Sequence, residues 1–187
     1  RSAAFTFSFI RRRKCRKNGS MSLKVKRNYL EIYSIDDLID VKIIPKEFKI
    51  ELIDPPNFQL NKFFYKNIGK NHRWTDRLSW NDNQWINYTT NKNLKTYILK
   101  NKNDLAGYFE LLFHHNKNEV EIAYLGLLEE YHYKKLGSYL LSIAIKESFL
   151  QNPKRVWVHT CSLDHKNALN NYLSRGMKVF MTETIQI

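Results

Sequence analysis

The chain has 187 residues, 43% of them apolar and 14% aromatic, which is enough to bury the core of one ordinary domain and too apolar for a disordered chain. No run approaches the roughly 18 apolar residues of a membrane helix, so no membrane partner is expected, and two cysteines in unlike contexts, Cys15 and Cys161, argue against a disulfide scaffold or a cysteine zinc site. The formal charge of +13 sits largely in residues 1–20, which hold seven Lys/Arg and no acid; the remaining 24 basic and 18 acidic residues are interspersed, which disfavours nucleic acid as a partner.

Residues 1–20 differ in composition from everything after Met21 and are read as a tag or a targeting or disordered arm. Their positive charges follow the apolar stretch, the reverse of a secretory signal. A cloning scar at Gly19-Ser20 is the favoured origin, with an organelle presequence or an RNA-binding arm as the alternative. Cysteine usage then points to the cytoplasm, or to a mitochondrion or another organelle if the arm is native.

From residue 21 to 187 a single domain is expected. Residues 28–34 and 48–53 read as strands, and Asp54-Pro55-Pro56-Asn57 stops the second. A helix is predicted over 58–67, with Phe58, Phe63, Phe64 and Ile68 on one face, and a short one over 81–88. Three antiparallel strands follow at 94–100, 104–114 and 119–128, joined by asparagine-rich turns. Leu140, Leu141, Ala144, Ile145 and Phe149 recur at helical spacing within 137–150. A buried strand fits 155–161, a helix capped by Asp164 fits 165–175 with Gly176 ending it, and a last strand fits 178–186. The order implies an α+β (mixed α/β) fold around one mostly antiparallel sheet.

The chemistry concentrates in EVEIAYLGLLEEYHYKKLGSYLLSIAI, Glu119 to Ile145. A strand leads through a basic loop into a helix, and a helix N-terminus offers unpaired N–H groups and the positive end of its dipole to a phosphate. This stretch resembles the acyl-CoA loop of the GNAT superfamily, Arg/Gln-x-x-Gly-x-Gly/Ala before a helix. His132 takes the Arg/Gln place, Lys135 the first glycine and Gly137 the last. Further on, HTCSLDHKNALNNYLSRGMKVF resembles the family's Ala-x-x-x-Tyr-x-x-x-Gly-Phe pattern through Ala168, Tyr172 and Gly176, with Met177 in place of Phe.

The resemblance implies acetyl-CoA as co-substrate, held where strands 119–128 and 155–161 splay apart, and no metal. Leu127 and Leu128 would offer main chain to the pantetheine arm, and His132, Lys134, Lys135, Leu136, Gly137 and Ser138 would hold the pyrophosphate. His165 and Asn167 are expected to contact the cofactor. Lysine at 135 departs from the motif, because glycine there lets the backbone approach a phosphate closely. For catalysis, Glu121 is the expected base and Tyr172 the acid that meets the leaving sulfur. Glu119 shares a face with Glu121, and Glu110 is a third carboxylate facing the acceptor. Trp74 and Trp80, with Trp85 and Tyr88, would wall an amine by cation–π contact or pack as core. His159, Cys161 and His165 lack the spacing of a zinc site, and Cys161 reads as small apolar filler.

The function implied is N-acyltransfer from acetyl-CoA to a primary amine by direct transfer in a ternary complex, with a homodimer compatible. The alternative is a catalytically inactive GNAT-fold binding or assembly module, for which the departed glycine and the basic arm speak.

Overall fold

The computed structural model describes residues 23–41 and 45–186; the arm expected at 1–20 lies outside the described residues. In chain order these form β1 (Lys24–Ile32), a 3-10 turn (Ile35–Asp37), β2 (Phe48–Leu52), α1 (Phe58–Gly69), α2 (Asp82–Thr89), β3 (Leu94–Asn101), β4 (Asp104–His114), β5 (Glu119–Leu127), a second 3-10 turn (Glu129–Tyr131), α3 (Leu136–Phe149), β6 (Arg155–Cys161), α4 (Ala168–Ser174) and β7 (Lys178–Gln186). One seven-stranded sheet runs in the order β2-β3-β4-β5-β6-β1-β7. Every pairing is antiparallel except that of β5 with β6.

The helices start where side chains satisfy their first N–H groups. Asn57 accepts from the Gln59 N–H at the head of α1, and Asn81 with Gln84 forms a capping box at the head of α2. α1 buries Asn61, Phe64, Tyr65 and Ile68, and Phe64 stacks on Tyr108 of β4 at 4.9 Å. Phe63, expected on the buried face, is 40% exposed: it neighbours Phe64 in sequence and so points about 100° away around the helix. α3 is buried along Leu136, Leu140, Leu141, Ala144 and Ile145, against the opposite side of the sheet.

Two elements start three or more residues away from the sequence reading. The first strand spans Lys24–Ile32 rather than 28–34, because its partners are β6 on one side and β7 on the other, and Ser34 already caps the following 3-10 turn. The last helix begins at Ala168, not at 165. Asp164 turns its carboxylate back to the Cys161 N–H (2.8 Å) and the Thr160 hydroxyl (2.7 Å), closing the turn after β6 instead of capping α4. Gly176 does end α4 as a C′ residue, with φ of 95°.

The sheet therefore has two unlike faces. On the face toward α3, β1 and β6 present Leu30, Ile32, Val156 and Val158 to the core. On the other face, Tyr29 and Glu31 of β1 lie opposite His159 and Trp157 of β6 in the register, and Glu121 of β5 lies opposite Trp157. There α1 and α2 cover the β3–β5 half of the sheet.

Candidate active site

β5 and β6 pair at only three positions, Glu119 with Arg155, Val120 with Val156 and Glu121 with Trp157. Past that point β5 stays on β4 as far as Leu127, and β6 stays on β1 as far as Cys161. The two strands part, and β5 turns the alternate main-chain groups of residues 122–127 toward the gap, where a bound molecule can pair with them. Leu127 lies on this edge, and its carbonyl accepts from His132 Nε2 at 3.1 Å. The main chain of Leu128 is engaged elsewhere: its N–H donates to Ala106 and its carbonyl accepts from Tyr131, both at 2.9 Å. Pairing with a ligand along this edge thus falls to the strand before Leu128.

The loop that follows ends in Lys135, the N-cap of α3, with φ 58° and ψ 9°. This is the left-handed region, which costs a lysine roughly 1 kcal/mol that glycine would not pay. The backbone takes the shape that glycine favours although the residue is a lysine. A left-handed residue followed by a helical one makes successive N–H groups converge on an anion, and α3 has no side-chain cap of its own. Lys134 and Lys135 are exposed beside it. Within the first turn of α3, Leu136 is buried, Ser138 donates its hydroxyl to Asn171 Oδ1 (3.0 Å), and Asn171 donates to the Gly137 carbonyl (3.1 Å). A Cβ added to Gly137 would come no closer than 3.8 Å to another group. Packing within the chain does not require glycine there, whereas close approach from outside would.

His165 lies at the same mouth. Its ring packs edge-on to His132 at 5.4 Å and to Tyr133 at 6.1 Å, and its Nδ1 accepts from the Asn167 N–H. Burial, then the neighbouring His132 and His72, push its pKa down, so it stays neutral near pH 7. Asn167 is exposed and forms the N-cap of α4 without a side-chain bond. His72, from the loop between α1 and α2, reaches the Leu163 carbonyl at 3.4 Å and brings a third imidazole to this cluster.

Tyr172 is 7% exposed on α4, and burial, then the charge of Asp164, push its pKa well above the ordinary phenol value. Glu121 lies on the opposite face of the sheet, with Oε2 2.9 Å from His114 Nε2, an imidazole the sequence reading did not single out. Glu119, its neighbour on that face, is held by Arg155 at 2.9 Å, and Arg155 also pairs with Glu31. His159 lies two residues beyond the last β5–β6 pair, where the gap opens, with its ring 5.8 Å from Tyr29. Cys161 is half-buried, and its thiol is pushed up by burial and then by Asp164, which makes it unreactive.

On the α1/α2 side, Glu110 is fully buried and paired with Arg77 at 3.3 Å, while Asn61 and Tyr88 also donate to it. The Arg77 guanidinium sits 3.9 Å from the Tyr88 ring centre, 4.3 Å from Tyr124 and 4.9 Å from Trp80. The cation–π place among these aromatics is therefore filled by the chain itself. Trp80 packs on Trp85 and Tyr88, and Trp74 packs edge-on to Tyr124 at 4.7 Å. Asp76 remains 63% exposed, accepting from Tyr65 and Tyr124. Arg77 went unread in sequence; its one signal was four flanking aromatics, Trp74, Trp80, Trp85 and Tyr88.

Among the described residues no group of three His, Cys, Asp or Glu is placed to hold a metal ion, and no helix is long and apolar enough to cross a membrane.

A mostly antiparallel sheet whose single parallel pair splays beside a helix N-terminus defines the GNAT fold of acyltransferases. The chain belongs to that family: the model described as Acetyltransferase (GNAT) family matches residues 55–177. No curated protein matches it in sequence. Among solved structures, it is similar to an aminoglycoside acetyltransferase from an uncultured soil metagenomic sample, in complex with trehalose, at 14% identity and TM-score 0.59, covering 71% of this chain and 90% of that one. A GCN5-related N-acetyltransferase from Sphaerobacter thermophilus matches at 12% identity and TM-score 0.62, covering 87% and 50%. A conserved protein of unknown function from Staphylococcus epidermidis matches at 13% identity and TM-score 0.59, covering 87% and 61%. The chain thus spans about half to three fifths of the length of the last two, and at these identities the likeness is one of fold.

Proposed function

We propose that the protein is an acetyl-CoA-dependent N-acetyltransferase that acts on a primary amine by direct transfer in a ternary complex. One observation supports this above the others: Gly137, which internal packing leaves free, opens α3 beside the splayed edge of β5. Bound acetyl-CoA would supply the thioester carbonyl. Residues 122–127 would hold its pantetheine arm by main chain, and the N–H groups of Leu136, Gly137 and Ser138, with Lys134 and Lys135, its pyrophosphate. His165 and Asn167 border the same mouth.

The amine nitrogen then bonds to the carbonyl carbon while the carbon–sulfur bond breaks. The amine proton goes to a base on the Glu121 face of the sheet, where Glu121 and His159 are the two groups able to take it. Tyr172, on the α4 side, is the residue that would donate a proton to the departing thiolate. Attacking and leaving groups would thus be served by separate side chains.

The test is calorimetry with CoA and acetyl-CoA on the wild type and on Gly137→Val. The wild type should bind both, and the variant should bind at least ~10-fold more weakly with its melting temperature within a few degrees of wild type. Absence of binding at millimolar ligand would overturn the enzymatic reading in favour of an assembly module.

A further inference from the structure

We infer that His159 is the general base of this site, with Glu121, hydrogen-bonded to His114, beside it; the assignment rests on the N-acetyltransferase reading. Its first support is position. Glu121 sits at the closed end of the gap, in the last paired register of β5 with β6. His159 is two residues further along β6, where the strands have parted, and it shares the face of Trp157 and Tyr29. A nitrogen attacking a thioester held in the gap meets this residue before it meets Glu121.

The second support is engagement. Glu121 Oε2 lies 2.9 Å from His114 Nε2, so one of its two oxygens is already engaged by an imidazole, and Glu119 is held by Arg155. His159 has no such partner among the described residues and is exposed to solvent. Tyr29, its ring neighbour, spends its hydroxyl on Glu183 at 2.7 Å.

The third is protonation state. Solvent reaches the ring, yet the surrounding protein desolvates it, and with the charge of Arg27 this pushes its pKa below the ordinary imidazole value. The groups that act on it come from every neighbouring element. Arg27 of β1 lowers the pKa, while Glu121 of β5, Asp164 after β6 and Asp76 between α1 and α2 oppose that shift. At neutral pH the ring is therefore an unprotonated acceptor, and those three carboxylates stabilise the imidazolium once it forms. The step balances: the amine nitrogen forms the C–N bond and passes one proton to the imidazole. CoA leaves as a thiolate that takes a proton from Tyr172, and the two protein groups re-equilibrate through solvent.

The experiment measures thiol release from acetyl-CoA with tyramine, spermidine and an aminoglycoside, from pH 5.5 to 9.5, for the wild type, His159→Gln and Glu121→Gln. His159→Gln should lower kcat/KM by ~10²-fold or more at pH 7 and lose the acidic limb of the pH profile. The loss should shrink toward pH 9.5, where solvent supplies free amine. Glu121→Gln should shift that limb to lower pH with a smaller loss, because it removes a charge that favours the imidazolium. Added imidazole should restore turnover to His159→Ala, a rescue that a merely structural residue would not show. The CoA-induced rise in melting temperature should stay as in the wild type for all variants. If His159→Gln keeps the wild-type profile while the wild type turns over, the assignment is wrong and the acetyltransferase reading stands. If the wild type binds CoA but releases no thiol with any of the three amines, both fall.

Discussion

Replacing Arg77 with leucine removes the cation that faces a fully buried carboxylate. Glu110 is 0% exposed, and without Arg77 it keeps only neutral donors, Asn61 Nδ2 at 2.7 Å and the Tyr88 hydroxyl. Breaking a buried pair from one side leaves an uncompensated charge and costs about 3–5 kcal/mol. The same substitution strips a guanidinium from rings 3.9 and 4.3 Å away, a loss that leucine's own apolar contacts partly offset. A net loss of about 4 kcal/mol follows, or roughly 8–16 °C in melting temperature for a domain of this size. Urea titration of the folded chain measures it as a fall in the midpoint at unchanged slope. The decisive variant is the double one, Arg77→Leu with Glu110→Gln. Neutralising both partners relieves the stranded charge while keeping an acceptor for Tyr88, so the double variant should be more stable than Arg77→Leu alone by about 2 kcal/mol. If Arg77→Leu costs under about 1 kcal/mol, or the two substitutions simply add, the pair does not organise this half of the site. The aromatics around it would then be free to take an acceptor's cation instead.

Gly176→Ala should be strongly destabilising, by about 2 kcal/mol or more, because φ is 95° and the new Cβ would lie 2.1 Å from the Asp37 carbonyl oxygen; thermal melting checks it. Tyr172→Phe should lower turnover by ~10²-fold with little change in CoA affinity, and the loss should diminish with an acyl donor whose thiol is more acidic. Equal losses with both donors would return Tyr172 to a packing role.

Much of the fold could be read from periodicity because most of its elements bury one face against a near neighbour in sequence. The β3–β4–β5 meander follows from alternation and turn residues, and α3 from the spacing of Leu140, Leu141, Ala144 and Ile145. What local pattern could not supply was the place of β1, which is inserted between β6 and β7 near the end of the chain. That choice is made by contacts more than 120 residues apart, such as Arg155 with Glu31 and Tyr29 with Glu183. Neither pair leaves a trace in the neighbouring sequence. Arg77 was hidden for a related reason. A lone arginine in a polar loop reads as solvated, and only the folded arrangement of α1, α2 and β4 turns it into the partner of Glu110. His159 was closer to legible. Alternation along Arg-Val-Trp-Val-His already puts it on the face of Trp157, in the strand expected to splay from the Glu121 strand.

The loop before α3 shows how a motif can fade in sequence while its physics persists. A glycine pattern records which backbone angles are cheap, not which are used. At Lys135 the chain pays the cost of a left-handed conformation and turns into α3 as a glycine would have let it turn. The lysine's Cβ is tolerable because the residue is exposed, so its side chain can leave the concave side of the loop. Gly137 is different: it lies inside the first helical turn, where the angles suit any residue, and a Cβ meets nothing nearer than 3.8 Å. Its lack of a side chain serves neither the backbone nor the core. Lysine thus stands where the backbone conformation can be met without glycine, and on the proposed acetyl-CoA reading glycine stands where a ligand would meet the side chain.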